Sequence, residues 1–291
     1  MALKRFHKYI KRTAWILALV FPLTLLALLT LAACFKLDEV LIYPRYAARR
    51  ELRPLPPYPH LEEVSFRTRD HVPLAGWFME HPAPLARMVY FKGGGGNVSL
   101  LGDAFERFYK GVPAHILFFD YRGYGRNPGN PTEQGFYLDG EAAVRYLLDR
   151  AKEDDLPLVF WGYSLGGPVS AHASQVFSPD GLILESTLPS VEDLLPSFLK
   201  GRRRWFFHGN FNTAGFLENA SFPILIMHSR GDRVVPFVAE EILYDKLDGR
   251  AEFFELPGTV SHGGMVRVDH PEYWRRIRSF IVSLRSNRST R

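Results

Sequence analysis

The chain has 291 residues, 46% of them apolar and 23% charged, enough for a sizeable core in one α/β domain with an appendage and too apolar for a disordered chain. Its formal charge of +5 is local: Lys4, Arg5, Lys8, Lys11 and Arg12 stand before residue 34 with no acid among them, and the remaining 31 bases match 31 acids. The charge gives no support for a nucleic-acid surface, and a single cysteine, Cys34, excludes a disulfide within one chain.

Residues 14–35 carry no charge. As a helix they would reach about 33 Å against a hydrocarbon core of about 30 Å, so the stretch either spans a membrane or targets the chain to one. The basic flank keeps the start in the cytosol and sends the residues beyond the stretch to the non-cytoplasmic side. The stretch ends Leu31-Ala32-Ala33-Cys34, which resembles the lipobox of bacterial lipoproteins. Two readings stand open here, cleavage with a lipid-modified Cys34 or an uncleaved transmembrane anchor over residues 1–35, and both tether the rest of the chain. Residues 36–61 come next, with Pro44, Pro54, Pro56, Pro57 and Pro59 among Arg45, Arg49, Arg50 and Arg53. Such proline spacing predicts an extended neck, either a solvated linker or a segment lying on anionic headgroups.

From residue 62 the pattern changes to short strands, and residues 62–287 read as one catalytic domain. Alternation over residues 63–68 and 74–79 across an Arg-Asp-His turn predicts an edge hairpin. Buried runs at 88–91 and 116–119, separated by a helical stretch at 103–109, begin an alternation of strands and helices that predicts a mainly parallel sheet covered on both faces. The helix over 135–150 is expected to bury Leu138, Ala142, Tyr146 and Leu147 and to expose Glu141 and Arg145 as an i,i+4 pair. Further strands are expected at 158–161, 182–184, 224–227 and 252–256, with helices at 238–247 and 271–284. Residues 188–221 are less regular and form the expected small cap. Their aromatics, Trp205, Phe206, Phe207 and Phe211 among them, stand beside Arg202, Arg203 and Arg204. They read either as an acyl-channel mouth touching the membrane or as a small insertion packed on the core.

The chemistry centres on Gly162-Tyr163-Ser164-Leu165-Gly166, with a strand before it and a small-residue helix after it, as a nucleophile elbow requires. A serine hydroxyl is a weak nucleophile near neutral pH, so Ser164 needs a base and the base needs a group to hold its tautomer. Asp232, in the turn after the strand at 224–227, and His262, in a Ser-His-Gly-Gly loop after the next strand, come in the order Ser, Asp, His at spacings of 68 and 30 residues. Those spacings let all three meet at the carboxyl edge of one sheet. Acyl transfer also needs donors for an oxyanion, and the loop Lys92-Gly93-Gly94-Gly95-Gly96-Asn97 is placed to supply the Gly94 amide beside that of Leu165. As a phosphate loop it fails, since no Gly-Lys-Ser/Thr closes it.

Seven motifs in order carry a resemblance: Phe91-Lys-Gly-Gly-Gly-Gly-Asn97, Phe119-Asp-Tyr-Arg-Gly-Tyr-Gly125, Gly135-Phe-Tyr-Leu-Asp-Gly-Glu-Ala-Ala143, Gly162-Tyr-Ser-Leu-Gly-Gly167, Gly181-Leu-Ile-Leu-Glu-Ser-Thr187, Gly231-Asp-Arg-Val-Val-Pro236 and Ser261-His-Gly-Gly264. From about residue 61 onward the chain resembles the α/β-hydrolase superfamily, and within it the membrane-anchored Bem46-like branch that includes the ABHD13- and ABHD17-type proteins. The resemblance implies Ser164 as nucleophile, Asp232 as acid and His262 as base. It further implies hydrolysis of acyl esters or thioesters on lipid or acyl-protein substrates, with no cofactor and a membrane as partner. The chain departs from the family's His-Gly-Asn at Lys92-Gly93-Gly94, from its usual Arg at Tyr163, and after His262. These departures flank the reacting atoms, so Lys92 and Tyr163 are expected to bear on substrate binding. A peptidase of the same fold and a silent membrane-bound scaffold are the alternatives. The sequence leaves the oligomeric state open.

Overall fold

The computed structural model describes residues 15, 18, 20–27, 30, 37–44, 52–54, 56–150, 155–263 and 270–288. Its strands are β1 (Leu61–Arg67), β2 (Pro73–Met79), β3 (Ala86–Phe91), β4 (Ala114–Phe119), β5 (Leu158–Tyr163), β6 (Gly181–Glu185), β7 (Ile224–Ser229) and β8 (Ala251–Leu256). They form an eight-stranded sheet in the order β1-β2-β4-β3-β5-β6-β7-β8. The β1–β2 and β2–β4 pairs are antiparallel, and from β4 to β8 every neighbour is parallel.

The longer helices are α1 (Ala104–Gly111), α2 (Glu133–Arg150), α3 (Gly166–Phe177), α4 (Phe237–Lys246) and α5 (Pro271–Arg288). A strand sends successive side chains to opposite faces, and β3 does so: Met88 and Tyr90 join the core under α1 and α5, while Val89 and Phe91 join the core under α2, α3 and α4. Covered on both faces, the central strands are buried almost throughout, hence their continuous apolar runs.

Two expectations need correcting. Glu141 is not exposed: α2 packs on both the sheet and α3, its buried arc is wider than one stripe, and the Glu141 carboxylate faces His172 and Arg69 at 4.0 Å each. The described part of the neck is no free linker either. Asp38–Ile42 makes one wide helical turn, the Leu37 amide donates to the Phe206 carbonyl at 3.2 Å, and Tyr43 is buried edge-on against Phe136 and Phe211. Apolar side chains dominate these contacts, so burial outweighs the extended bias of the prolines.

Cys34 and half of the uncharged stretch lie outside the described residues. Residues 20–27 are helical, and among the described residues no helix is long and apolar enough to cross a membrane.

Candidate active site

Because β3, β5, β6, β7 and β8 run parallel, their carboxyl ends share one edge, where open α/β sheets form binding crevices. β5 ends in the elbow. Ser164 has φ of +53°, a left-handed conformation that is costly for a residue with a Cβ. Three hydrogen bonds hold it there: its amide donates to Glu185 O at 2.9 Å, and its carbonyl accepts from Gly167 N at 2.9 Å and Thr187 Oγ1 at 2.7 Å. A Cβ at Gly166 would stand 1.8 Å from the Phe91 carbonyl oxygen, which is why glycine occupies that position.

The turn after β7 carries Asp232 and the loop after β8 carries His262. His262 Nε2 lies 3.0 Å from Ser164 Oγ, and His262 Nδ1 lies 2.7 Å from Asp232 Oδ2. The Asp232 side chain is fully buried, and its other oxygen accepts from the Val234 and Val235 amides at 2.8 and 2.9 Å. Burial alone would raise this carboxyl group. The His262 hydrogen bond and charge, with the two amides, outweigh burial and hold it below its ordinary value.

The glycine loop leaves β3 beside the elbow, with Phe91 paired to Gly162. Gly94 and Leu165 are close neighbours, since a Cβ on Gly94 would lie 3.4 Å from the Leu165 side chain. Lys92 is among the residues that line the cavity beside Ser164. Its ammonium is turned under the loop, donating to Gly93 O at 3.2 Å and Gly96 O at 2.8 Å, with Asp120 at 3.8 Å and the Tyr124 ring at 3.8 Å. Buried carbonyls and a carboxylate draw the cation inward because an unpaired buried charge is costly. Burial lowers Lys92 to about 8 and raises Asp120 to about 6, each partly offset by the other's charge. Tyr163 is wedged between Gly93 and Gly263, its ring 5.1 Å from that of His262.

His228, on β7, drew no functional reading from the sequence. It is buried, with Nδ1 2.6 Å from Glu240 Oε2, Nε2 3.0 Å from Val235 O and Asp232 Oδ2 3.6 Å away. Its place four residues before Asp232 was the available signal. Thr187, closing the β6 motif, was also missed, although it anchors the Ser164 carbonyl.

Ser164, Tyr163, Leu165, His262 and Gly93–Gly95 open into a cavity of about 700 Å³. Apolar side chains complete its lining, among them Val40, Leu41, Ile42, Leu194, Leu195 and Val234. The cap segment is divided in role. Phe211 is in the core, Phe207 lines the cavity, and Phe198 and Trp205 are exposed.

No family model matches the chain. It is 27% identical over 274 residues to the uncharacterized membrane protein YNL320W of Saccharomyces cerevisiae, covering 89% of this chain and 94% of that protein. It is 30% identical over 179 residues to protein bem46 of Schizosaccharomyces pombe, covering 58% and 60%. Mouse lysophosphatidylserine lipase ABHD12 is 27% identical over 226 residues, covering 67% of this chain and 56% of that protein. Among solved structures, the Pyrococcus furiosus esterase Pf2001 superimposes with a TM-score of 0.63 over 80% of this chain and 97% of the esterase; at 18% identity that likeness establishes the fold alone. Strand order, elbow and superposition together define an α/β-hydrolase fold. Within that superfamily the chain is a Bem46-like α/β-hydrolase.

Proposed function

We propose that the protein is a membrane-tethered serine hydrolase that cleaves acyl esters or thioesters through an acyl-enzyme. The observation that carries the reading is the chain of two contacts, Ser164 Oγ to His262 Nε2 at 3.0 Å and His262 Nδ1 to Asp232 at 2.7 Å. In this reading Ser164 Oγ attacks the acyl carbon as its proton passes to His262 Nε2, and Asp232 holds the Nδ1–H tautomer and stabilises the imidazolium. The amides of Gly94 and Leu165 receive the oxyanion. His262 then protonates the leaving alkoxide or thiolate, and water, activated by the same imidazole, releases the acid. Lys92 acts from beneath as the group that orients the glycine loop, and Tyr163 braces the His262 loop.

The apolar cavity beside Ser164 favours an acyl substrate, and the lipase named among the relatives acts on a lysophospholipid. Tethering rests on residues 14–35, with the domain over residues 62–287 on the non-cytoplasmic side and either Cys34 lipidation or an uncleaved helix as the anchor. The test is labelling by a fluorophosphonate probe together with hydrolysis of p-nitrophenyl esters. Wild type is expected to label and turn over, and Ser164→Ala to do neither; equal labelling of the two would reject Ser164 as nucleophile. Release from aminoacyl amides in preference to esters would instead point to the peptidase.

A further inference from the structure

One wall of the cavity beside Ser164 comes from outside the sheet. Val40, Leu41 and Ile42 line the cavity together with Leu194, Leu195 and Val234, and Leu41 and Val234 are 65% and 66% exposed. The lining offers apolar contact to an acyl chain. Its lysine, Lys92, has its ammonium engaged by loop carbonyls, so a charged head group finds no free lysine inside and must stay at the rim.

That wall is also the part of the domain nearest the uncharged stretch. Lys36 alone separates residue 35 from Leu37, and one residue reaches at most about 3.6 Å. Leu37 is pinned to Phe206, and Tyr43 is buried six residues further on. With residues 14–35 in a bilayer, the cavity wall therefore begins within a residue or two of the membrane surface. The cap segment that holds Leu37 through Phe206 suits that position. Phe198 and Trp205 are 74% and 65% exposed, and Lys200, Arg202 and Arg204 are exposed around them. Aromatic rings beside bases match the boundary between acyl chains and anionic headgroups.

We propose that residues 37–44 are at once the end of the tether and a wall of the substrate site, so that the cavity opens onto the leaflet and takes its acyl chain from the lipid phase. The proposal rests on the serine-hydrolase reading above for its chemistry, but the docking it requires can be measured without turnover.

The experiment uses the full chain reconstituted in vesicles of phosphatidylcholine and phosphatidylglycerol. In the double variant Phe198→Asp, Trp205→Asp, hydrolysis of bilayer-borne 4-methylumbelliferyl palmitate is expected to fall at least about tenfold while that of p-nitrophenyl acetate stays unchanged. An unchanged palmitate rate, or an equal loss on both esters, overturns the proposal. Leu41→Trp is expected to lower the ratio of laurate to acetate turnover by about tenfold; an unchanged ratio removes residues 37–44 from the substrate wall. Brominated lipid is expected to quench wild-type tryptophan fluorescence more than that of Trp205→Phe, and equal quenching overturns the docking. If wild type takes no fluorophosphonate label and cleaves neither ester, the hydrolase reading fails, whereas the quenching still decides the membrane contact.

Discussion

The Lys92 ammonium donates to the Gly93 carbonyl at 3.2 Å, and this contact decides which way the next amide points. In a trans peptide the C=O of Gly93 and the N–H of Gly94 are directed oppositely, so the cation fixes the Gly94 hydrogen on the side away from itself, the orientation that the proposed oxyanion role of this amide needs. Lys92→Met is expected to lower kcat about 100-fold with KM little changed, as loss of an oxyanion donor does. Lys92 loses its proton as pH rises through about 8, so the wild-type kcat should decline on that side. Lys92→Arg, which stays charged, should shift that decline upward. Steady-state kinetics across pH on a soluble ester checks both; an alkaline limb identical in wild type and Lys92→Arg would count against this role.

His228 supports the Asp232 turn from below. Burial opposes its charge, but the Glu240 hydrogen bond and charge outweigh burial and raise its pKa above the ordinary 6.5. A histidine raised in the folded state adds stability that is fully present below its unfolded pKa and is lost as pH rises through the folded one. His228→Gln is therefore expected to cost about 3 kcal/mol below pH 6.5, with the deficit shrinking as pH rises. Urea unfolding of both proteins at several pH values measures it, and a deficit independent of pH would contradict the charged pair.

Arg122 ties the turn after β4 to α2. Its Nε donates to Asp139 at 2.8 Å, its amide donates to the same carboxylate at 2.7 Å, and its guanidinium reaches Asp70 at 2.7 and 3.0 Å. Asp139 has no exposed side-chain surface, whereas Asp70 is 41% exposed. Removing the arginine leaves a buried acid, which burial already pushes up to about 6, without its counter-charge. Arg122→Ala should lose about 3–5 kcal/mol in denaturant titration, and Asp70→Asn less than about 1 kcal/mol.

Much of this architecture was legible because local pattern and global environment agree. A strand buried on both faces must be apolar throughout, so the runs around Val89, Leu117, Phe160 and Ile226 announce a parallel sheet. Ser164, Asp232 and His262 stood out because each comes after such a run at the edge where crevices form. What stayed hidden depends on contacts between distant segments. Glu141 lies on a helix with two packing partners, and no periodicity within α2 reveals the second. Lys92 sits beside cavity-lining glycines in sequence, yet Asp120 and Tyr124, 28 and 32 residues later, turn it inward. In the neck the abundance of Pro and Arg masked Leu37 and Tyr43, whose partners, Phe206, Phe136 and Phe211, are supplied from much later in the chain.

The ring of Tyr43, 4% exposed between Phe136 and Phe211, sets where a functional polypeptide has to begin. A shortened version started at β1 to improve solubility would leave a hollow where that aromatic sat, a defect of about 3–5 kcal/mol for a large buried side chain. It would also widen the mouth beside the serine by removing Val40 to Ile42. On the proposed acyl-hydrolase reading, kinetic work on such a trimmed chain would report a broadened acyl preference belonging to the truncation and not to the native molecule.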